Sequence, residues 1–174
     1  ASGAGIVQQL LSFARKKPQT PRRIELRRYL KETLPLFKRT AGESIHLRLD
    51  PPEPEHAIMV DPSQLTAALI NLIANARDAM DGKGEVVVGA QSTQASITVF
   101  VTDEGRGITT EDQARIFEPF FTTKGPEKGS GIGLSMVYGF VRESGGTVNV
   151  ESNSGKGTTI SLTFPTHSGS NREL

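Results

Sequence analysis

The chain has 174 residues, a formal net charge of +1 and 36% hydrophobic residues, which suits one domain with a buried core. It contains no cysteine, which removes disulfides, thiolate nucleophiles and zinc–thiolate sites. The near-neutral charge gives no general pull toward nucleic acid or a membrane surface, and no apolar run or leader pattern is long enough to matter, so a soluble, cytoplasmic chain is expected.

After a frayed ASGAG, the stretch IVQQLLSFARKK carries Ile6, Val7, Leu10, Leu11 and Ala14 as one helical stripe. The proline-bearing, basic KKPQTPRR breaks it, and without interleaved aromatics it reads as a solvated linker. ELRRYLKETLPLFKRTA follows as a helix blemished by Pro35. SIHLRLD and AIMV read as strands. Asp61, Pro62 and Gln64 then open a long helix as N-cap, first and third positions; it stops at Asp81-Gly82. EVVVGAQ and ASITVFVTD are strands, TTEDQARIF a short Thr-capped helix, and a glycine-rich loop leads into a helix carrying Ile132, Leu134, Met136, Val137, Phe140 and Val141. GTVNVES and GTTISLTF close the domain as a hairpin, and THSGSNREL reads as a disordered tail. The order predicts an α+β fold, one sheet covered by helices on one face.

Four stretches could carry chemistry. In NLIANARDAM, Asn71, Asn75 and Asp78 share one face of an otherwise apolar helix. A solvent stripe usually carries Lys and Glu, better helix formers than Asn, so these oxygens read as ligands for Mg²⁺ beside substrate phosphates. In DEGRGI, Asp103 ends a strand and Gly105 and Gly107 allow a tight turn. That is an ordinary Asp-Gly turn, or an acceptor for a ligand amino group. FEPFFTTK is a loop anchored by aromatics, or the hinge of a lid with Lys124 reaching a phosphate. In KGPEKGSGIGL, the spacing of Gly129, Gly131 and Gly133 fits neither a P-loop nor a dinucleotide fingerprint. Glycines opening a helix do leave backbone N–H groups for an anion, though a surface linker has the same composition.

Together and in this order, the four stretches resemble the N, G1, F and G2 boxes of the catalytic ATP-binding domain of bacterial sensor histidine kinases, in the GHKL superfamily. The resemblance implies a two-layer α/β sandwich, the Bergerat-type fold, with one mixed sheet. It divides the chain into residues 1–21, the end of the second dimerisation helix plus linker; 22–165, the catalytic domain; and 166–174, a tail. It implies that ATP and Mg²⁺ bind, with Asn75 on the metal and Asn71 assisting, and Asp103 accepting from the adenine amine. Gly105 and Gly107 would let the base approach, the Thr158 hydroxyl would help bind it, and Ile108, Phe117 and Asp78 would count among the nucleotide-binding residues. Gly129, Gly131 and Gly133 would bring backbone N–H groups to the phosphates, with Ser130, Ile132 and Leu134 also nucleotide-binding, Lys124 and Arg77 as further contacts, and a lid from about Thr109 to Ser130. Asp78 stands where many members carry lysine.

The implied reaction is γ-phosphate transfer to a histidine, then signalling through a response regulator receiver domain, within a full-length homodimer. The family's phosphoacceptor lies on a helix before an acidic residue. His46, His56 and His167 do not fit, so the histidine belongs to a dimerisation domain outside this chain, which is expected to bind Mg-ATP without phosphorylating itself. No nucleic-acid partner and no direct membrane contact are implied. GHKL-type ATPases are the alternative, but they usually carry glutamate as general base where Asn71 stands, and an amide cannot take a proton from water. A nucleotide-sensing module, or a kinase of the same fold that targets Ser, would keep the same boxes.

Overall fold

The computed structural model describes residues 19–54, 56–119, 121 and 133–166. The N-terminal helix read from IVQQLLSFARKK, half of FEPFFTTK, most of its glycine loop, and nearly all of the tail lie outside the described residues. The elements run β1 (Arg22–Glu25), α1 (Leu26–Ala41), β2 (Ile45–Asp50), β3 (Ala57–Val60), α2 (Pro62–Ala79), β4 (Gly84–Ser92), β5 (Ser96–Asp103), α3 (Thr110–Gln113), α4 (Gly133–Glu143), β6 (Thr147–Ser152) and β7 (Thr158–Pro165).

Five strands form a mixed sheet in the order β2-β4-β5-β7-β6, with β2 parallel to β4 and the other pairs antiparallel. Alternation sets its two faces. Val86 and Val88 of β4, Ile97, Val99 and Val101 of β5, and Ile160, Leu162 and Phe164 of β7 point into the core. The opposite face is lined by threonines, with Thr98 bonded to Thr163 and Thr102 to Thr159, each at 2.9 Å. The helical layer covers the first face: Leu69, Leu72, Ile73 and Ala76 of α2 share one core with Leu30 and Phe37 of α1 and Val137, Phe140 and Val141 of α4.

One expectation is corrected. The single sheet is joined by a separate two-stranded ribbon in which β1 pairs antiparallel with β3. In the sequence, Arg22 and Arg23 read as linker and Glu25 as helix, because four residues are too few to show a period. Pairing with β3 makes them a strand, and it buries Ile24.

The helix ends follow local chemistry. Asp61 caps α2, its Oδ1 accepting from Ser63 N at 2.9 Å and Gln64 N at 3.4 Å, with Pro62 in the first turn, where its missing N–H costs nothing. The helix ends where Gly82 N donates to Arg77 O at 2.9 Å, with Asp81 (φ 55) and Gly82 (φ 80) both left-handed. Pro35 sits inside α1 but on its exposed side, where water can serve the carbonyl it leaves unbonded. α3 is shorter than TTEDQARIF suggests. After Gln113 the chain closes i→i+3 bonds instead, Arg115 N to Asp112 O and Glu118 N to Arg115 O.

Candidate functional site

The site forms where the C-terminal half of α2 meets the end of β5 and the start of α4. Asn71 and Asn75 are half-buried on α2. The first residue of α4 rests on Asn71: a Cβ added to Gly133 would lie 3.1 Å from Asn71 Oδ1. Two stretches distant in sequence, NLIANARDAM and the end of the glycine loop, are therefore in contact. Leu134 packs against the core beside them.

Asp103 is the last residue of β5 and is half-buried. Burial raises its carboxyl pKa above the usual range, opposed by the Gly105 N–H, the Thr158 N–H and the charge of Arg106. The Gly105 bond is 2.8 Å long. Thr158 stands directly across the β5–β7 ladder from Asp103 and is almost fully buried. A half-buried, ionisable acceptor with two backbone donors keeps lone pairs for a further donor.

The loop after Asp103 is held from three sides. Arg106 N donates to Ala79 O at 3.2 Å, and Arg106 O accepts from Gly155 N at 2.6 Å. Ile108 N donates to Ser152 Oγ at 2.7 Å. Gln113 Nε2 donates to Ile108 O at 2.8 Å and to Ser152 O at 3.0 Å. The two glycines have a nearer cause than the approach of a ligand. A Cβ at Gly105 would lie 2.7 Å from Ala79 O, and one at Gly107 (φ +74) would run into the Asn153 carbonyl. Both let this loop press against α2 and the β6–β7 turn.

The remaining predicted residues divide. Arg77 is committed to the helical layer: its Nη1 donates to Thr40 O at 2.8 Å, near the C-terminal end of α1, and its Nε pairs with Asp78 at 3.3 Å. Asp78 thus faces its own neighbour as well as the shared Asn face. Phe117 packs on Tyr138 of α4, ring centroids 5.6 Å apart, while Ile116 beside it fills the core. The aromatic anchor of FEPFFTTK therefore begins on the surface of α4. Lys124, Gly129, Ser130, Gly131 and Ile132 lie outside the described residues.

Ser152 and Gln113 were missed by sequence reasoning. Both bridge the Asp103 loop to the last hairpin, but a serine closing a strand and a glutamine in a short helix carry no periodic or motif signal. Only the fold brings them to Ile108.

The comparisons with known proteins bear on the family and the fold. The profile of the family described as histidine kinase-, DNA gyrase B-, and HSP90-like ATPase matches residues 60–168, and the chain belongs to that family. Within it the chain sides with the ATP-binding catalytic domains of sensor histidine kinases. It is 36% identical to sensor kinase CckA of Brucella abortus (strain 2308) over 93% of this chain and 19% of that protein. It is 34% identical to sensor histidine kinase ZraS of Escherichia coli (strain K12) over 92% of this chain and 34% of that protein. The chain thus spans about a fifth to a third of these relatives. Among solved structures, full-length ShkA in complex with AMPPNP superposes with a TM-score of 0.82 at 25% identity, over 95% of this chain and 36% of that one. The mycobacterial sensor histidine kinase MprB gives 0.72 at 25% identity, over 86% of this chain and 99% of that one. Among the described residues no helix is long and apolar enough to cross a membrane.

Proposed function

We propose that the cleft between α2, the Asp103 loop and the start of α4 binds ATP with Mg²⁺, and that the chain passes the γ-phosphoryl group to a histidine on a separate dimerisation domain. The observation that carries this reading is the contact of Gly133 with Asn71, which puts a helix N-terminus beside a pair of amides. Helix N-termini offer free N–H groups and a positive dipole end to phosphate.

The adenine end would be held by Asp103, whose carboxylate accepts from the exocyclic amine. Gly105 N and Thr158 N fix that carboxylate from behind. Among the described residues no group of three or more His, Cys, Asp or Glu could cage a metal by itself. That suits Mg²⁺, which keeps waters and phosphate oxygens and needs only one or two protein oxygens. Asn75 would supply one, with Asn71 assisting. Held there by Asn75, Mg²⁺ would supply neutralisation of charge on the transferring group. In the transfer the bond from the γ-phosphorus to the bridging oxygen breaks as an N–P bond forms on the imidazole, and ADP leaves. An amide at position 71 cannot act as a base for water, which favours transfer over hydrolysis. A response regulator would receive the group next.

Calorimetric titration of Mg-ATP into the chain, followed by incubation with labelled ATP and a histidine-bearing dimerisation domain supplied in trans, tests this. Binding plus label on the added domain is expected. Steady ATP hydrolysis with no labelled histidine would favour a GHKL-type ATPase, and binding with neither would favour a nucleotide sensor.

A further inference from the structure

Gln113 is the last residue of α3, and its side-chain nitrogen makes two bonds. Nε2 donates to Ile108 O at 2.8 Å and to Ser152 O at 3.0 Å. Both partners are carbonyls, which only accept, so the amide nitrogen must face them and both its protons are used. A glutamate of the same shape would set a carboxylate against two carbonyls. Local chemistry brings the amide there. Thr109 caps α3 through its hydroxyl, and Gln113 N donates to Thr109 O at 2.9 Å, so one helical turn carries the side chain back over Ile108. β6 is an edge strand of the five-stranded sheet, and at Ser152, its last residue, the Gln113 amide stands where a further strand would.

Ser152 begins a row that crosses three strands and ends at Asp103. It pairs with Thr158 across β6 and β7, and Thr158 pairs with Asp103 across β7 and β5. Ser152 Oγ lies 2.8 Å from Thr158 Oγ1, and the Thr158 N–H holds the Asp103 carboxylate. Gly157, next to Thr158, sits so close that a Cβ there would run into the Asp103 carbonyl. The second Gln113 bond reaches the same place from the other side, because Ile108 closes the loop that Asp103 opens. One amide therefore grips both the loop and the row of strand partners behind the carboxylate.

We infer that Gln113 is a positioning residue for Asp103: its two amide bonds lock Ile108 to Ser152 and so hold the carboxylate in place for the adenine amine. This rests on the ATP reading above. A loop fixed in advance loses little freedom when nucleotide arrives, and that preorganisation is what the amide contributes.

The experiment measures Mg-ATP affinity by calorimetry for the unmutated chain, Gln113→Met, Gln113→Glu, Asp103→Ala and the double variant Gln113→Met/Asp103→Ala. Methionine keeps the length of the side chain and loses both donors. Gln113→Met should weaken Mg-ATP about fivefold to tenfold, the scale of one hydrogen bond, and Gln113→Glu at least as much. On the Asp103→Ala background, Gln113→Met should change affinity by less than about twofold, because the carboxylate it positions is gone. A loss by the same factor on both backgrounds overturns the inference and reduces Gln113 to a clamp on the fold, and so does no loss on either. Should Asp103→Ala bind too weakly to titrate, amide hydrogen exchange decides: faster exchange of the Thr158 N–H in Gln113→Met supports the inference, and unchanged exchange overturns it. Should Gln113→Met fail to fold, Gln113→Asn replaces it in every arm, since it keeps an amide but falls short by one methylene. An Asp103→Ala chain that binds ATP as tightly as the unmutated one overturns the role of Asp103 and this inference together. An unmutated chain that binds no Mg-ATP overturns the ATP reading itself, and this inference with it.

Discussion

Two aspartates at the ends of strands and helices show how the same side chain is put to different use. Asp61, before α2, has both oxygens occupied by its own protein. Oδ1 takes Ser63 N, Ser63 Oγ and Gln64 N, and Oδ2 takes Thr20 N at 2.9 Å. Those donors, the Thr20 N–H first, hold its pKa below the usual carboxylate range although the residue is buried. Asp103, at the end of β5, is half-buried with fewer donors, and there burial wins and the pKa goes up. A carboxylate whose donors outweigh its burial is structural. One left short of donors in a cleft is held ready for a partner that brings its own.

The largest effect expected from breaking this contrast is on stability. Asp61→Ala removes the α2 cap and the anchor of Thr20 together, which should cost about 3 kcal/mol in denaturant unfolding. A cost below about 0.5 kcal/mol would mean that water replaces the cap and the contrast is empty. Next comes Asp103→Ala. It should weaken Mg-ATP binding by about 1.5–3 kcal/mol, roughly tenfold to a hundredfold, while leaving the nucleotide-free protein as stable or slightly more so. A protein that unfolds at lower temperature with ATP affinity intact would make Asp103 a second Asp61.

The contrast also marks what the sequence could tell. Asp61-Pro62-Ser63-Gln64 declared its cap outright, because every partner of Oδ1 is within three residues. The strands of the mixed sheet and α2 were legible for the same reason, since their periods are local. β1 was not, because its four residues become a strand only against β3. At the candidate site, Asn71 and Asn75 stand out in the sequence as residue types out of place on an apolar helix, whereas Asp103 by itself reads equally as an Asp-Gly turn. The partner on the next strand that tunes Asp103, Thr158 N, depends on β7 lying beside β5, which no local pattern predicts. Arg77 adds a contact that the sequence did not suggest: beside the phosphate role expected of it, its guanidinium bonds Thr40 O at the end of α1.

A smaller test therefore concerns Arg77. Arg77→Met keeps the aliphatic stem and loses the bond to Thr40 O, so stability should fall by about 1 kcal/mol, with a smaller change in ATP affinity. Affinity falling further than stability would return the guanidinium to the phosphates and blur the division of α2 into a structural side and a ligand side.

The smallest effect is the most discriminating, because the two aspartates should respond to acid in opposite senses. Asp61 has a depressed folded pKa, so its contribution to stability is complete above the ordinary carboxylate range and is lost as pH falls through the lower folded value. Asp103 has a raised one. Between the ordinary range and that raised value the folded protein binds more protons than the unfolded chain, so acidification through this window favours folding at Asp103. It disfavours ATP in the same window, because a protonated carboxyl loses its charge-assisted bond to the amine. Mg-ATP affinity should therefore begin to fall at a pH where thermal stability has not. In Asp103→Asn, which carries no proton to titrate, that early loss should vanish while the later, Asp61-linked loss of stability stays. Affinity and stability falling together in both proteins would mean that acid acts on the fold as a whole and that Asp103 is not held ready for a ligand.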